Sequence, residues 1–424
     1  MWSGVGLVVA NMVGAGVFLS AGFMSQELSA GWILAAWGIG GLLAMAGART
    51  YAEAALMIPR SGGEYRYLSE LLSPAVGYLA GWASLLVGFS APMAISTFAA
   101  AAFAFAVFGL PNPRLGAAVL IVLLTLFHAA GLGLSKWTQN GLVILKGLLI
   151  LAFVTLGLCL GETQWPNWAP PNEPPSLALS FASSLFFVAY AFSGWNAAAY
   201  AAEEFRSPRR DVPRAMLTGC AIVAVAYVLV NWILVANLSP ERAQVVFEYE
   251  EAKITLGHVV AQDLLGDLGA RAMSLGIAAI MVSSSSAMLL VGPRVYAEMA
   301  RDGFLPPFLR GEPGSPPRAA VALQGAIAIA LLYMHSVGEL LSNVAGILVF
   351  FSALVAVGLL TVRWRRPDLQ TPRAAALFAA AVYAASSVWM LYSAFKAQTG
   401  LLPWIALAMG AALVAYALSA RAPS

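Results

Sequence analysis

Two glycine-containing interruptions of apolar segments are the features of this chain best suited to chemistry. Gly14-Ala15-Gly16 lies near the middle of the first apolar segment, and Ser193-Gly194-Trp195-Asn196 lies in the sixth. In hydrocarbon an unpaired backbone N–H or C=O costs several kcal/mol, so irregular backbone is tolerated there only where it is buried in protein or lines a cavity. Paired interruptions in two halves of a chain therefore indicate a binding site for a transported solute.

The polarity of these interruptions suits a zwitterion. The half-helix after the first interruption points its N-terminus at the site, which favours an anion such as a carboxylate. We expect N–H groups of Ala15, Gly16 and Val17 to donate to that anion. The carbonyls expected to accept from an ammonium group are those of Val13, Ala191, Phe192 and Ser193. Both groups occur together in an α-amino acid, although a single Gly-Ala-Gly would favour tight helix packing instead.

Lys146 is the second candidate, because it lies deep within the fifth apolar segment. An ionisable residue inside a membrane is a functional hypothesis by default. Its ammonium would bond a carbonyl of the first interruption and hydroxyls of the eighth segment, where Ser283 and Ser284 are the candidates and Ser284 is favoured. Three roles stay open at this stage: a fixed cation, a group that binds and releases a proton, and a structural lysine.

Other polar residues have more ordinary interpretations. Asn196 would bond either backbone freed by the interruption or the solute. Arg49 and Glu53 are four residues apart, the spacing of an ion pair on one helix. Glu203 and Glu204 lie near arginines at positions 206, 209 and 210, and they are predicted to form inner-gate or loop salt bridges. Cys159 and Cys220 provide neither a disulfide framework nor a zinc spacing, and no metal or cofactor is expected.

The elements that carry these residues are predicted to be membrane-spanning helices. Hydrophobic residues make up 60% of the chain and charged residues 10%, whereas soluble domains carry about 25% charged residues. A spanning helix needs about 20 apolar residues, and twelve segments qualify. They cover approximately residues 2–24, 30–57, 73–108, 114–133, 137–160, 177–202, 213–237, 267–299, 318–335, 338–362, 373–394 and 400–420.

Positive charge orients these segments. With a cytoplasmic N-terminus, sixteen of the 23 Lys and Arg residues fall on the inner side and five on the outer side. Lys and Arg concentrate in cytoplasmic loops, so both termini are predicted to be cytoplasmic, in the cell (inner) membrane. The inner connection at residues 58–72 has the pattern of a short interfacial helix around positions 64–68.

The spacing of the interruptions indicates an inverted repeat. The second follows the first by about 180 residues, and the first segment starts inside whereas the sixth starts outside. Two five-helix units of opposite topology follow, as in many transporters. We predict repeat units at 1–160 and 177–362, with two further helices at 373–420.

Four motifs resemble those of the amino acid–polyamine–organocation superfamily, in order and across the whole core. They are Gly14-Ala15-Gly16-Val17-Phe18; Tyr51-Ala52-Glu53 with Ile58-Pro59-Arg60-Ser61-Gly62-Gly63-Glu64-Tyr65; Phe192-Ser193-Gly194-Trp195-Asn196 with Glu203-Glu204 and the stretch 208–215; and Arg294-Val295-Tyr296-Ala297 with the stretch 300–306. The Gly-Trp-Asn variant resembles the L-type amino acid transporter branch and its bacterial relatives.

This resemblance implies a LeuT-like fold, with five plus five inverted helices, two C-terminal helices and alternating access. It implies that Lys146 occupies the place where sodium sits in sodium-driven relatives, and that Tyr190 closes over bound substrate. Animal members of the branch bond an accessory glycoprotein through a cysteine between the third and fourth helices. The corresponding residues here, 109–113, contain no cysteine, so no disulfide-linked heavy subunit is expected.

The leading hypothesis is a sodium-independent transporter that exchanges neutral L-amino acids. A proton-coupled symporter on the same fold is the alternative. A carrier of cationic amino acids or polyamines would want an acidic residue in the pocket, and the second interruption offers Trp195 and Asn196 instead. A membrane-embedded enzyme would need facing carboxylates or metal ligands within the membrane, and none is predicted. No nucleic-acid partner is expected.

Overall fold

The chain is helical throughout the part that the computed structural model describes, which is residues 1–131, 136–162, 164–166, 169, 176–238, 256–312, 317–397, 410, 413 and 416. The first half contains α1 (Trp2–Met12), α2 (Gly16–Met24), α3 (Ala30–Met57), α4 (Gly63–Leu71), α5 (Pro74–Ala83), α6 (Ser90–Phe108), α7 (Pro113–Ala129) and α8 (Lys136–Leu160). The second half contains α9 (Leu177–Phe192), α10 (Ala197–Tyr200), α11 (Pro208–Ala236), α12 (Leu256–Arg301), α13 (Arg318–Met334), α14 (Val337–Arg365) and α15 (Ala374–Ala397).

The helices confirm the predicted all-α membrane architecture. Within the described residues, eight helical segments are long and apolar enough to cross a membrane, and three shorter apolar helices are α7, α9 and α13. Together they correspond to eleven of the twelve predicted spans. The twelfth, 400–420, lies almost wholly outside the described residues.

The bundle buries one face of its helices and leaves another for lipid. The centre is formed by α1, α3, α9 and α11, with α3 lying along α11 and α6 along α12. Peripheral helices expose large apolar side chains, such as Leu123 and Leu126 on α7 and Leu148 and Leu151 on α8. These side chains suit a hydrocarbon solvent, which demands no polar outer face.

Helix α4 is buried within the protein and does not lie on its surface. The short helix predicted in the inner connection is present at Gly63–Leu71, but it is buried instead of lying at the interface. Tyr65, Tyr67 and Leu68 are each at most 1% exposed. The Tyr65 ring packs edge-on against Phe304, beyond the end of α12, so tertiary contacts draw this helix under the bundle.

Candidate functional site

Both predicted helix interruptions are confirmed. Helix α1 ends at Met12, Val13 is extended with φ −74° and ψ 94°, and α2 begins at Gly16. Helix α9 ends at Phe192, and α10 begins at Ala197. Between them Gly194 has φ +101°, a left-handed conformation that glycine adopts without steric cost.

The two interruptions lie against each other. A Cβ at Gly16 would stand 2.4 Å from the Cα of Ala191, and a Cβ at Gly194 would stand 2.9 Å from the carbonyl carbon of Asn11. The Tyr227 hydroxyl from α11 lies between them, 2.7 Å from the Met12 carbonyl and 3.1 Å from that of Ala191. Sequence reasoning did not identify Tyr227, because only the fold places α11 beside both breaks.

Lys146 reaches the first interruption. Its Nζ donates to the carbonyl oxygens of Ala10 at 3.0 Å and Val13 at 2.6 Å, and the residue is 1% exposed. The carbonyls that α1 leaves free near its end are thus paired by an ammonium from α8. This is the carbonyl contact that the sequence predicted for Lys146. The predicted bond from Lys146 to the Ser284 hydroxyl was wrong, because Ser284 Oγ has no hydrogen-bond partner among the described residues and the ammonium is drawn to the carbonyls instead.

Two buried hydroxyls flank Gly14 without a partner. Neither Ser284 Oγ on α12 nor Ser96 Oγ on α6 has a hydrogen-bond partner within the described part of the chain. A Cβ at Gly14 would stand 2.8 Å from the first and 3.8 Å from the second. Buried polar groups are nearly always paired, so the hydroxyls of Ser96 and Ser284 have unused hydrogen-bonding capacity. Ser283 is also buried, at 3% exposure.

A cavity of about 70 Å³ lies beside the second interruption. Its wall includes Ser193, Gly194, Trp195 and Asn196, which are four of the twelve residues predicted to bind substrate. The remaining wall is formed by Asn11, Glu64, Ala83, Ser84, Gly88, Phe89, Pro92, Ala189, Ala197, Tyr200, Met288, Ile347, Leu348, Val349, Phe351, Ser352 and Tyr383. The cavity therefore lies between the second interruption and residues of α1, α4, α5, α6, α12, α14 and α15.

Eight of the predicted substrate residues do not line this cavity: Val13, Gly14, Ala15, Gly16, Val17, Tyr190, Ala191 and Phe192. All eight are buried. Tyr190 is 4% exposed, so its ring is packed among neighbouring helices in this conformation. Their role as substrate ligands remains a prediction.

Glu64 is the residue that sequence reasoning missed. This carboxylate extends from α4, is 4% exposed, and accepts hydrogen bonds at Oε1 from the Tyr51 hydroxyl at 2.5 Å and Asn196 Nδ2 at 3.2 Å. Burial raises the pKa of Glu64 to about 7, and the two hydrogen bonds oppose that shift. The available signal was an acidic residue next to Gly62-Gly63 in a motif shared with the resembled superfamily.

The structure bears on the two predicted roles of Asn196, which were to bond freed backbone or to bond the solute. Its side-chain amide donates to other side chains. Besides Glu64, its Nδ2 donates to the Tyr200 hydroxyl at 3.1 Å. The Asn196 amide therefore fixes the wall of the cavity through α4 and α10, and in this structure it does not repair backbone freed by the interruption.

Ion pairs join several elements at one end of the bundle. The predicted pair of Arg49 and Glu53 is confirmed at 2.8 Å. Glu204, predicted to form an inner-gate or loop salt bridge, pairs with Arg294 of α12 at 2.8 Å. The chain turns after α10, and this turn directs Glu204 toward α12 and away from the arginines that follow it in sequence.

A second tie joins α4 to the end of α12. Arg66 approaches Asp302 at 2.9 Å and Glu298 at 3.6 Å, and the Tyr65 hydroxyl donates to Asp302 at 2.5 Å. The Ser61 N–H also donates to Glu203 at 3.4 Å.

No group of three or more metal-ligating side chains occurs among the residues with described positions.

Comparison with known proteins identifies similar chains. A family model described as amino acid permease matches residues 1–416. The mouse b(0,+)-type amino acid transporter 1 is 27% identical over 387 residues, which is 89% of this chain and 78% of the relative. The mouse Asc-type amino acid transporter 1 is 28% identical over 416 residues, covering 92% and 75% of the two chains. The human large neutral amino acids transporter small subunit 2 is 26% identical over 385 residues, covering 87% and 70%.

Proposed function

Because this chain belongs to the amino acid permease family, and so is an amino acid transporter, we propose that it exchanges small neutral L-amino acids without sodium, by alternating access. The relatives are named for amino acid transport, and one is named for large neutral amino acids. The proposal places the chain in the cell membrane with both termini cytoplasmic, since the Lys and Arg bias favours that orientation.

The observation that carries sodium independence is the contact of Lys146 with the first interruption. Hard cations such as sodium are bound by oxygen ligands, including backbone carbonyls. The ammonium already bonds the carbonyl oxygens of Ala10 and Val13. A fixed positive charge at this point stabilises the broken helix and repels a second cation, so no sodium ion is required.

The size of the cavity supports a small substrate, whereas the proposal of a neutral one rests on the sequence, because Glu64 places an acidic residue in the cavity wall. A cavity needs about 10–15 Å³ to hold one water-sized group. A cavity of about 70 Å³ therefore accommodates roughly five such groups. That matches the smallest amino acids in the present conformation. We assign the carboxylate to the N-terminal end of α2 near the hydroxyls of Ser96 and Ser284, which have unused hydrogen-bonding capacity. The side chain then points to the cavity beside Asn196.

Counterflow into liposomes tests the proposal. Purified protein is reconstituted, and tritiated alanine uptake is measured into vesicles that are empty or loaded with alanine, in sodium chloride and in choline chloride. We expect uptake to require internal alanine and to be equal in both salts. Uptake into empty vesicles that requires a sodium gradient would contradict it. A thermal-shift screen against the twenty amino acids then identifies the ligands, because a ligand that binds the native state stabilises it.

Proton-coupled symport is the second candidate. The buried amine of Lys146 favours it, because desolvated lysines exchange protons readily. An imposed pH gradient would then drive alanine into empty vesicles without sodium. The counterflow experiment separates the two candidates, since an exchanger needs internal amino acid and a symporter needs the gradient.

Two further proposals follow from the sequence. We propose that residues 1–160 and 177–362 are inverted repeats, supported by the matching interruptions after α1 and α9. We also propose that no heavy subunit is attached by a disulfide, because residues 109–113 between α6 and α7 contain no cysteine. Of the two cysteines, Cys220 is buried and Cys159 is on a different helix, α8.

A further inference from the structure

Glu64 contributes an unusual charge to the cavity wall. Among the described residues that line the cavity, it is the one with an ionisable acidic or basic side chain. It is 4% exposed, and both of its hydrogen bonds end on Oε1, so Oε2 is the oxygen left to meet the cavity. A buried charge is costly unless it is paired.

The groups that face Glu64 are neutral. Tyr51 approaches from α3, Tyr200 from α10 and Tyr383 from α15, and the cavity wall adds polar but uncharged side chains from three other elements. Those side chains are Asn11 on α1, Ser84 at the start of the π-helical segment Ser84–Phe89 between α5 and α6, and Ser352 on α14.

The nearest charged groups already have partners. Arg66, on the same helix, pairs with Asp302 and Glu298. Glu203, in the turn after α10, accepts from the Ser61 N–H. An ionised Glu64 would therefore lie in a closed, largely apolar cavity without a counter-ion among the residues whose contacts are described.

We propose that Glu64 is a proton-binding group of the inner gate, protonated while the cavity is closed toward the cytoplasm and deprotonated when the gate opens. On opening, the Oε2–H bond breaks, the electron pair stays on the carboxylate, and cytoplasmic water takes the proton. Closing reverses the step on the same side of the membrane, so no net proton crosses. This inference rests on the proposed function, because it assigns a step in the same transport cycle.

The position of Glu64 explains why its protonation would affect opening of the inner gate. Its carboxylate joins α3 through Tyr51 to the second interruption through Asn196. It also lies on α4, which Arg66 ties to the end of α12. Opening the inner end must separate some of these elements and admit water, and water stabilises the ionised carboxylate that the closed cavity does not.

The sign of the pH effect follows from linkage. Burial raises the pKa of Glu64 from its ordinary 4.5 to about 7 in the closed state, so between these values the closed state binds more protons than an open, hydrated state. Acid therefore stabilises the closed state, and this effect is lost as pH rises through about 7. If opening limits exchange, the rate falls about tenfold between pH 8 and pH 6.

Alanine exchange at equal internal and external pH tests this. Wild type, Glu64→Gln, Glu70→Gln and Tyr51→Phe are reconstituted as full chains and assayed from pH 5.5 to 8.5. Glu70 is the matched control, because it lies on the same helix but pairs with Arg366 at the surface. We expect wild type and Glu70→Gln to slow about tenfold from pH 8 to pH 6, and Glu64→Gln to give a flat profile.

The Tyr51→Phe variant separates a proton site from a merely structural residue. Loss of the hydroxyl that donates to Oε1 destabilises the carboxylate, so the midpoint of its pH profile should move to higher pH. A flat wild-type profile, a pH-dependent Glu64→Gln profile, or an unmoved midpoint in Tyr51→Phe would each overturn the proposal.

Infrared spectroscopy covers the case in which Glu64→Gln does not transport. The difference spectrum between pH 6 and pH 8 should show the carbonyl stretch of a protonated carboxylic acid, present in wild type and Glu70→Gln and absent in Glu64→Gln. If substitution of Glu64 removes no such band, the protonation of Glu64 does not change between pH 6 and pH 8, which overturns the inference. Absence of counterflow in wild type at every pH would instead contradict the proposed function. The infrared experiment would still report the protonation of Glu64, because it does not depend on transport.

Discussion

At the scale of single residues, two buried ionisable side chains from outside the interruptions complete the site. Lys146 pairs backbone carbonyls at the first break, and Glu64 accepts from Asn196 at the second. Both lie in surroundings where a charge is expensive. Their contacts give each residue a role at the broken helices: Lys146 pairs the carbonyls near the end of α1, and Glu64 joins α4 to the second interruption.

Replacing Lys146 by alanine tests the first of these roles. Two buried carbonyls would lose their ammonium partner, and each unpaired group costs about 1–3 kcal/mol. We expect alanine counterflow to fall at least tenfold and the melting temperature in detergent to drop by several degrees. Both are measured on the same purified preparation.

Lys396→Ala is the control for this variant. Lys396 lies at the end of α15 with its ammonium over the Tyr392 ring, far in sequence from either interruption, and its removal should leave transport and melting unchanged. If Lys146→Ala shows the same counterflow rate as wild type, the contacts of Lys146 with the carbonyls are dispensable for transport.

At the scale of elements, the site depends on how closely the two interrupted helices approach. Gly16 begins α2 where a Cβ would overlap Ala191 of α9. Because both segments are backbone at the point of contact, neither can rotate a side chain away. The fold therefore fixes glycine at this position by packing, while Gly194 is fixed by its left-handed φ.

Gly16→Ala should separate α2 from α9 and disturb the break. Overpacking of this kind costs about 1–3 kcal/mol, so we expect a lower melting temperature and loss of most counterflow. Fluorescence-detected thermal melting and counterflow measure the two effects.

Gly38→Ala on α3 gives the contrast, because nothing lies within 4 Å of a Cβ there. Helix propensity makes that change neutral or stabilising by up to about 1 kcal/mol. Equal behaviour of the two variants would show that the close approach at Gly16 does not constrain the site.

At the scale of the whole molecule, the inner ends of several helices are held together by charge. Arg66 and Tyr65 of α4 both bond Asp302 after α12, and Arg294 of α12 bonds Glu204 after α10. Alternating access requires the two sides of such a network to part. These ion pairs therefore oppose opening of the bundle at this end.

Asp302→Asn should weaken this closure. A partly exposed ion pair contributes about 1 kcal/mol or less, which corresponds to a few-fold shift in population. Hydrogen exchange of the α4 amides, followed by mass spectrometry, should accelerate by that factor, and the rate should be less sensitive to salt than in wild type, because one ion pair is gone.

Asp368→Asn is the surface control, since Asp368 pairs with Arg366 outside the membrane helices. Arg366 holds the pKa of the Asp368 carboxyl below its usual range through hydrogen bonds. Its removal should leave exchange of the α4 amides unchanged. Unchanged α4 exchange in Asp302→Asn would show that the Asp302 contacts do not hold the inner end.

The sequence by itself determined the class of structure and the two breaks. Hydrophobic length is a local property, so eleven of twelve predicted spans correspond to described helices, and the glycines at 14–16 and 194 marked the interruptions because backbone freedom is also local. The Arg49–Glu53 pair followed from helical spacing alone.

Only the tertiary structure decided which side chains meet at those breaks. Tyr227 lies 36 residues from Ala191, and Glu64 lies 132 residues from Asn196, and no periodicity connects such positions. The Arg294 partner of Glu204 depends on the fold in the same way, because the turn after α10 directs Glu204 toward α12. Pairing across a bundle depends on how helices pack, and packing is a property of the assembled surfaces and not of any one segment.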